Sequence, residues 1–277
     1  MGAVDLHSHT TASDGALAPR ELVRKAVKHG VRVLAITDHD STEGLAEAFD
    51  EASAHPGLRI VPGLEINCDV SNGEIHVLGY LVDHREPWFQ EFLREQRAER
   101  VARVHRIAER LGALGLPIDP AEVFAICKEG SAGRPHVAQV MVHRGYVKSV
   151  TEAFDRYLRA GGPANVPRRR LTPVEAVAVI RRARGVPVLA HPGLANRDDM
   201  IPELVDAGLM GIETYYAEHS PAQVRGYLEI CDRHGLVATG GSDFHGPHVG
   251  RVNPPGTPKV PMSAWVGIEE RAARLRS

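Results

Sequence analysis

The chain has 277 residues, of which 43% are hydrophobic and 25% charged, and its formal net charge is -2. This composition is typical of a globular protein that is large enough to bury a core without disulfides. The small net charge argues against a nucleic-acid coat or a membrane-surface protein, and no apolar stretch reaches the length of a membrane span. Any basic binding site must therefore be local.

The three cysteines are far apart in the sequence, at Cys68, Cys127 and Cys231. This odd and scattered set favours a reducing compartment and argues against a thiolate metal site. The N-terminal segment also lacks the basic and apolar regions of a secretory signal. We therefore expect a cytoplasmic protein without membrane association and without an obligate protein partner.

The first 85 residues alternate apolar runs with amphipathic helices. Strands are predicted at 4–6, 31–37, 59–61 and 75–81, and helices at 19–29 and 42–53. The run at 31–37 is almost uninterrupted in apolar residues, as expected for a strand that is buried on both faces. This alternation predicts parallel βα units and an α/β fold.

Residues 86–164 contain no convincing strand. Helices are predicted at 87–114, 120–128, 135–144 and 150–160, after which strands are predicted at 186–190, 210–214 and 236–239, with helices at 172–184, 200–207 and 221–234. We therefore predict a split α/β domain, residues 1–85 and 165–277, with a helical insertion at 86–164. The helix at 87–114 mixes Arg and Glu, which favours a solvated surface with i,i+4 ion pairs over a basic binding face.

Candidate metal ligands occur at or near the ends of most predicted strands. His7 and His9 follow the first strand, and because residues two apart on an extended chain point the same way, both imidazoles can reach one ion. Alone, this pair is equally consistent with polar residues at a strand end. The same pattern extends to other strands and their following loops, and includes Asp14, His39, Glu65, His76, His191, Asp243 and His245. Since loops after parallel strands converge on one face of a barrel, we expect one site.

The motifs that carry these residues resemble those of the PHP family, named for polymerase and histidinol phosphatase. The matching motifs are DLHSHT, ITDHD, PGLE, HVLGY, AHPG and GSDFH, which lie within about residues 4–85 and 185–250. The resemblance implies a distorted seven-stranded (β/α) barrel similar to a TIM barrel, interrupted here by the helical insertion. It also implies a cluster of two or three divalent metal ions.

Carried over by position, the resemblance implies three ligand groups. They are His7, His9, Glu65 and Asp243 for a first ion, Glu65, His76 and His191 for a second, and Asp14, His39 and His245 for a third. Asp14 stands where the family often has histidine, and a carboxylate there favours Mn²⁺ or Mg²⁺, although Zn²⁺ and Fe²⁺ also suit mixed ligands. We take Mn²⁺ as the first choice.

The resemblance also implies a reaction. A hydroxide that bridges the ions would attack phosphorus, with Asp243, His245 and His191 beside the reacting atoms. The group that protonates the leaving oxygen stays open at this point.

The insertion carries candidates for substrate binding. Arg134 and His136, in the motif GRPH, stand at the predicted start of a helix, where backbone N–H groups and an arginine side chain together favour a phosphate. Arg168 belongs to an arginine run that returns the chain to the barrel, and a solvated basic turn is the alternative interpretation. Beyond the strand at 210–214, Tyr215 or Tyr216 could stack on a base, but ordinary packing near the barrel rim is at least as good an explanation. His219 could contact substrate, although a structural role is the favoured interpretation.

The insertion segments GRPHVA and GGPANVPR resemble one subgroup of the PHP family. That resemblance implies hydrolysis of the 3′-phosphate of nucleoside 3′,5′-bisphosphates, and also 5′→3′ trimming of short 5′-phosphorylated RNA. The alternatives are a phosphatase for another small phosphate ester such as histidinol phosphate, a non-catalytic metal-binding accessory of a polymerase, and hydrolysis of C–N bonds. Every ligand position is occupied and no carboxylated lysine has a candidate at a strand end, which favours the phosphoesterase.

Overall fold

Seven strands form one mixed sheet in a computed structural model that describes residues 2–70, 73–127, 132–166, 171–246 and 253–277. The strands, in chain order and in sheet order, are β1 (Val4–Asp5), β2 (Val33–Ile36), β3 (Arg59–Val70), β4 (Gly73–Tyr80), β5 (Val186–Leu189), β6 (Gly211–Tyr216) and β7 (Val237–Gly241). The N–H of Leu6 donates to the carbonyl of Gly240 at 3.1 Å, and the N–H of Asp243 donates to the carbonyl of His7 at 2.9 Å. These bonds join the last strand to the first, so the sheet is a nearly closed barrel and the predicted fold class is confirmed.

One strand departs from the predicted parallel arrangement. β4 is antiparallel to both β3 and β5, whereas the other neighbouring strands are parallel. The prediction of parallel units throughout is wrong here because only residues 71 and 72 separate β3 from β4, and a parallel connection needs about a dozen residues or more. β3 is also far longer than the predicted 59–61, so that Glu65 lies inside the strand instead of after it.

The helices surround the barrel and build the insertion. They are α1 (Pro19–Lys28), α2 (Leu45–Ser53), α3 (Pro87–Ala113), α4 (Pro120–Cys127), α5 (Arg134–His143), α6 (Val150–Ala153), α7 (Pro173–Arg182), α8 (Pro192–Ala195), α9 (Ile201–Asp206), α10 (Pro221–His234) and α11 (Met262–Arg276). The helix predicted at 150–160 is α-helical only to Ala153 and continues as a π-helical turn. Thr172 and Ser220 cap α7 and α10 through their side chains, as expected for a capping box before a proline.

The long helix α3 connects two hydrophobic cores. Its first turns place Phe89 and Leu93 in the core beneath β3 and β4. Its later turns place Val104, Ile107 and Leu111 in a separate core. This core also contains side chains of α4 and α5 and extends to Val166. The insertion therefore has its own buried apolar cluster, and α3 holds it against the barrel. Among the helices of the described ranges, none has the length and apolar character that crossing a bilayer requires.

Candidate active site

The nine predicted metal ligands lie together at one end of the barrel. Their nitrogen and oxygen atoms form four overlapping groups, each within 4.8 Å: His9, Asp14, His39 and His245; His7, Glu65 and His191; His7, His9 and Asp243; His39, Glu65 and His76. Ligand atoms at about 2.0–2.2 Å from a shared ion are separated by distances in this range. The three residues of the expected Asp14 set lie in one group, which His9 joins. The other two expected sets are divided differently, because Glu65 groups with His7 and His191 and also with His39 and His76, but not with His9 and Asp243.

Glu65 is at the centre of the cluster. Its Oε2 lies 3.4 Å from Nε2 of His7, 3.3 Å from Nε2 of His9 and 3.0 Å from Nδ1 of His39, and its Oε1 lies 2.8 Å from Nδ1 of His76 and 3.1 Å from Nε2 of His191. One carboxylate therefore faces five imidazoles, three through one oxygen and two through the other. This arrangement suits a carboxylate that bridges two metal ions.

Two further carboxylates, those of Asp243 and Asp14, belong to the cluster. Oδ1 of Asp243 lies 3.4 Å from Nε2 of His7, 3.2 Å from Nε2 of His9 and 3.5 Å from Nδ1 of His245. Asp14 lies 3.6 Å from His9, 3.6 Å from His39 and 3.4 Å from His245. Both aspartates thus approach several imidazole nitrogens at distances that leave space for a cation between them.

The donor set fits divalent cations. Nε2 of His7 and Nε2 of His9 face each other at 3.1 Å. Nδ1 of His39 is buried and lies 3.0 Å from Oε2 of Glu65, but within the described part of the chain it makes no hydrogen bond of suitable geometry. Glu65 and Asp243 are each 1% exposed. Because buried carboxylates are stable only with compensating positive charge, converging lone pairs and buried anions together favour metal ions at this position.

The imidazoles of the metal-free cluster differ in their affinity for protons. Burial lowers the pKa of His7, but Glu213 and Glu65 outweigh this effect and raise the pKa to about 10. Burial is similarly outweighed at His76, where Glu65 raises the pKa to about 9. Burial dominates at His39 and His191 and lowers their pKa values to about 3 and about 4. Near neutral pH the first two are therefore protonated and the last two neutral.

Glu213 is a site residue that the sequence interpretation missed. It is fully buried, its Oε1 lies 2.9 Å from Nδ1 of His7, and its Oε2 accepts the backbone N–H of His191 at 2.8 Å. A carboxylate on the far nitrogen of a metal-binding histidine fixes the orientation of the ring. A signal was present in the sequence, because Glu213 is the one charged residue in the apolar run 210–214.

Asp38 has a comparable role in the first loop. Its carboxylate accepts the backbone N–H and the hydroxyl of Thr10, both at 2.7 Å, and the hydroxyl of Ser13 at 2.6 Å. These bonds fix the turn that follows His9 and carries Asp14. The motif ITDHD therefore supplies a candidate ligand, His39, and also Asp38, whose carboxylate orders the loop that carries Asp14.

Tyr216 and His219 are close to the cluster, but their polar atoms bind the protein. The hydroxyl of Tyr216 donates to Oδ2 of Asp243 at 3.1 Å, and the residue is 2% exposed. Nδ1 of His219 lies 3.1 Å from the carbonyl of Thr214, and its Nε2 accepts the N–H of Gly193 at 3.2 Å. These contacts orient Asp243 and the first turn of α8, and the buried tyrosine ring leaves little surface on which a base could stack.

A cavity of about 150 Å³ lies between the nine candidate metal ligands, called the ligand cluster from here on, and the insertion. Its lining includes Asp14, His39 and His76 from the cluster and Arg100, Arg103, Arg134 and His136 from the insertion. The cavity therefore joins candidate metal ligands to three arginines and a histidine, which is a combination suited to a phosphorylated ligand.

The arginines of α3 require a correction to the interpretation of that helix as solvated surface. The side chains of Arg100 and Arg103 are only 11% and 12% exposed. Arg100 donates to Oδ2 of Asp40 at 2.7 Å, and Arg103 donates to the carbonyl of Val166 at 2.8 Å. Arg97, Arg100 and Arg103 recur every three residues and form one polar face of α3 that lies against the barrel. The sequence does not reveal this face, because charges of both signs occur on the rest of the helix.

The predicted substrate-binding residues of the insertion have different outcomes. Arg134 lies in the cavity wall, where it pairs with Glu74 at 2.5 Å. His136 is 6% exposed and its Nδ1 accepts the N–H of Gly133 at 3.1 Å, so that in the neutral ring Nε2 carries the proton. Arg168 lies outside the described residues.

The chain is similar to known proteins over most of its length. The PHP domain family matches residues 5–166. The chain is 36% identical over 249 residues to the 5′-3′ exoribonuclease Rnm of Escherichia coli (strain K12), which covers 88% of this chain and 85% of the relative. It is 33% identical over 294 residues to the 3′,5′-nucleoside bisphosphate phosphatase of Chromobacterium violaceum, which covers 99% of each protein.

A solved structure shows the same fold over nearly the whole chain. A protein of Bifidobacterium adolescentis described as a metal-dependent phosphoesterase superposes with a TM-score of 0.85 at 31% identity, over 98% of this chain and 96% of that chain. The prediction of a metal-dependent phosphoester hydrolase is therefore confirmed, and the chain belongs to the PHP family.

Proposed function

We propose that the enzyme hydrolyses the 3′-phosphate of nucleoside 3′,5′-bisphosphates, and that short 5′-phosphorylated RNA is a second substrate. The observation that carries the proposal is the cavity in which the ligand cluster and Arg134 face the same space. A substrate with two phosphates could place one at the cluster and the other at the arginines. The names of the relatives in Chromobacterium violaceum and Escherichia coli support both substrate classes.

The proposed cofactor is a set of two or three divalent ions, with Mn²⁺ as the first choice. Such ions would activate water near neutral pH and offset the negative charge on the phosphoryl oxygens. The nine residues of the cluster would hold them, and Glu213 and Tyr216 would orient His7 and Asp243. Asp243, His245 and His191 are proposed to lie beside the reacting phosphate.

The insertion is proposed to bind the 5′-phosphate. Arg134 offers a guanidinium, and His136 offers an Nε2 proton when its ring is neutral, as the lowering of its pKa by burial favours. Arg103 lines the same wall. We also propose a cytoplasmic location, in agreement with the odd and scattered set of cysteines, Cys68, Cys127 and Cys231, which is typical of a reducing compartment.

Phosphate release from four compounds tests the substrate class. With Mn²⁺, the enzyme is expected to release phosphate from adenosine 3′,5′-bisphosphate much faster than from 5′-AMP, 3′-AMP or histidinol phosphate, because only the first can occupy both phosphate positions. The measurement is kcat/KM for each compound at the same metal concentration. Equal values for all four would contradict the two-point proposal.

Metal binding is expected to release protons. His7 and His76 carry pKa values of about 10 and about 9 in the metal-free protein, and a cation must displace their protons to reach the nitrogens. Between pH 7 and pH 9 the apparent affinity for Mn²⁺ should therefore rise with pH. Calorimetric titration in buffers of different ionisation enthalpy measures the number of protons, expected to be about two at pH 7.5. An affinity independent of pH over this window would exclude these two histidines as ligands.

A further inference from the structure

Glu74 occupies the position where the proposed 5′-phosphate would meet the arginines. It is near the start of β4 and lines the cavity. Its Oε1 lies 2.5 Å from Nη2 of Arg134 and 3.9 Å from Nη1 of Arg103, and its Oε2 lies 3.9 Å from Nε2 of His76. The side chain is 29% exposed, so solvent reaches it beside the cavity.

Neither arginine depends on Glu74 alone for its placement. Nη1 of Arg134 donates to the carbonyl of Leu158 at 3.3 Å, and its guanidinium lies 5.7 Å from the ring centre of Phe154. Arg103 donates from Nε to the carbonyl of Val166 at 2.8 Å. Both guanidinium groups would therefore stay in the cavity wall if the carboxylate turned away.

The charges of these three groups favour exchange of the carboxylate for a phosphate. Arg103, Arg134 and Glu74 together carry one net positive charge, whereas the two arginines alone would match the two negative charges of a phosphate dianion. Because Glu74 uses the donor that Arg134 would offer to a phosphate, the two anions compete for the same nitrogen. An anion beside Glu74 would also meet a like charge within a few ångströms.

We propose that Glu74 is a specificity-determining residue, whose carboxylate competes with a phosphate of the bound nucleotide for Arg134. This inference rests on the proposed function, in which the arginines anchor the phosphate remote from the reaction. A nucleotide with two phosphates can place its second phosphate at the candidate metal-binding residues, and this additional contact allows it to displace Glu74. A ligand with one phosphate lacks that contact, so inorganic phosphate and the product 5′-AMP bind weakly and leave readily.

The variant Glu74→Gln tests the competition. Glutamine keeps the size of the side chain and an oxygen that can accept from Arg134, but it removes the negative charge. The expected result is that the dissociation constants of inorganic phosphate and 5′-AMP fall about tenfold, because repulsion by a like charge and the competing ion pair are both removed. The measurement is calorimetric titration of the metal-loaded protein and, separately, of protein treated with a chelator.

A matched control is Glu43→Gln. Glu43 also pairs with an arginine of α3, at 2.9 Å from Arg97, but its side chain is 57% exposed. This variant should bind both probes as the unchanged protein does. Metal content is measured for every protein, because Glu74 is near His76 and a loss of metal would itself change anion binding.

The alternative role of Glu74 is to position Arg134. In that case Glu74→Gln should bind inorganic phosphate and 5′-AMP more weakly than the unchanged protein. Unchanged or weaker binding of both probes by Glu74→Gln with full metal content would overturn the proposal. This readout does not depend on catalysis. If the unchanged enzyme fails to hydrolyse adenosine 3′,5′-bisphosphate while the variant binds phosphate more tightly, the proposed substrate is wrong and the competition stands. If hydrolysis is found without tighter binding, the substrate is supported and the competition is rejected.

Discussion

Replacing Glu65 by glutamine is expected to lower kcat/KM by about a thousandfold or more and to reduce the bound metal. The carboxylate faces five imidazoles through its two oxygens, and an amide carries no charge and presents one NH₂ group to any cation between them. Loss of one ion removes several kcal/mol of transition-state stabilisation, which corresponds to at least that factor in rate. Metal content by elemental analysis and phosphate release under saturating Mn²⁺ measure the two effects.

Two companion variants separate this loss from misfolding. Glu47→Gln changes a glutamate of α2 that pairs with Arg20 on the surface, and it should retain both metal and activity. Glu65→Asp keeps the charge with a shorter reach, and it should retain more metal than Glu65→Gln. Thermal unfolding of all variants after chelation checks the fold. A Glu65→Gln enzyme with full metal content and more than about a tenth of the activity would exclude a bridging role.

The variant Arg134→Ala is expected to raise the KM for adenosine 3′,5′-bisphosphate by about thirtyfold to a hundredfold, with the metal content unchanged. This range corresponds to about 2.0–2.7 kcal/mol, which is within the contribution of a hydrogen bond to a charged group, and Glu74 would be left facing the phosphate without its partner. The KM for an ester that carries one phosphate should change little, because such a substrate reaches the cluster without the anchor. Steady-state kinetics with both substrates measure this difference.

The control for this prediction is Arg94→Ala. Arg94 lies in α3, where it pairs with Glu91, and its side chain is 69% exposed. Its removal should leave KM for both substrates unchanged. If Arg134→Ala raised KM equally for both, the arginine would not discriminate between phosphate positions, and an unchanged KM for the bisphosphate would remove it from the site.

The location of the ligand cluster followed from local sequence patterns. His7 and His9 alternate on an extended segment, and His39, His191 and Asp243 each follow an apolar run that forms a strand. Local periodicity determines where a buried strand ends, and parallel strands deliver their ends to one face. The motifs were therefore sufficient to predict a shared site before any contact was known.

The partners of those ligands depended on the tertiary structure. Glu213 reaches His7 across the barrel from β6, and Arg100 of the insertion reaches Asp40 beyond β2. Charged side chains carry no periodic signal that distinguishes a buried pair from a solvated one. Pairs so distant in sequence become visible only when the chain has folded.

The sequence by itself determined the α/β class and was sufficient to predict a helical insertion and a set of candidate ligands, because apolar periodicity and strand-end motifs are local properties. Only the tertiary structure decided that β4 is antiparallel, that Glu65 lies within β3, and that α3 directs arginines inward. It also brought Glu74 to Arg134, a pairing between a strand of the barrel and a helix of the insertion. These features depend on how distant segments meet, and the balance of burial and charge at their contacts exists only in the folded protein.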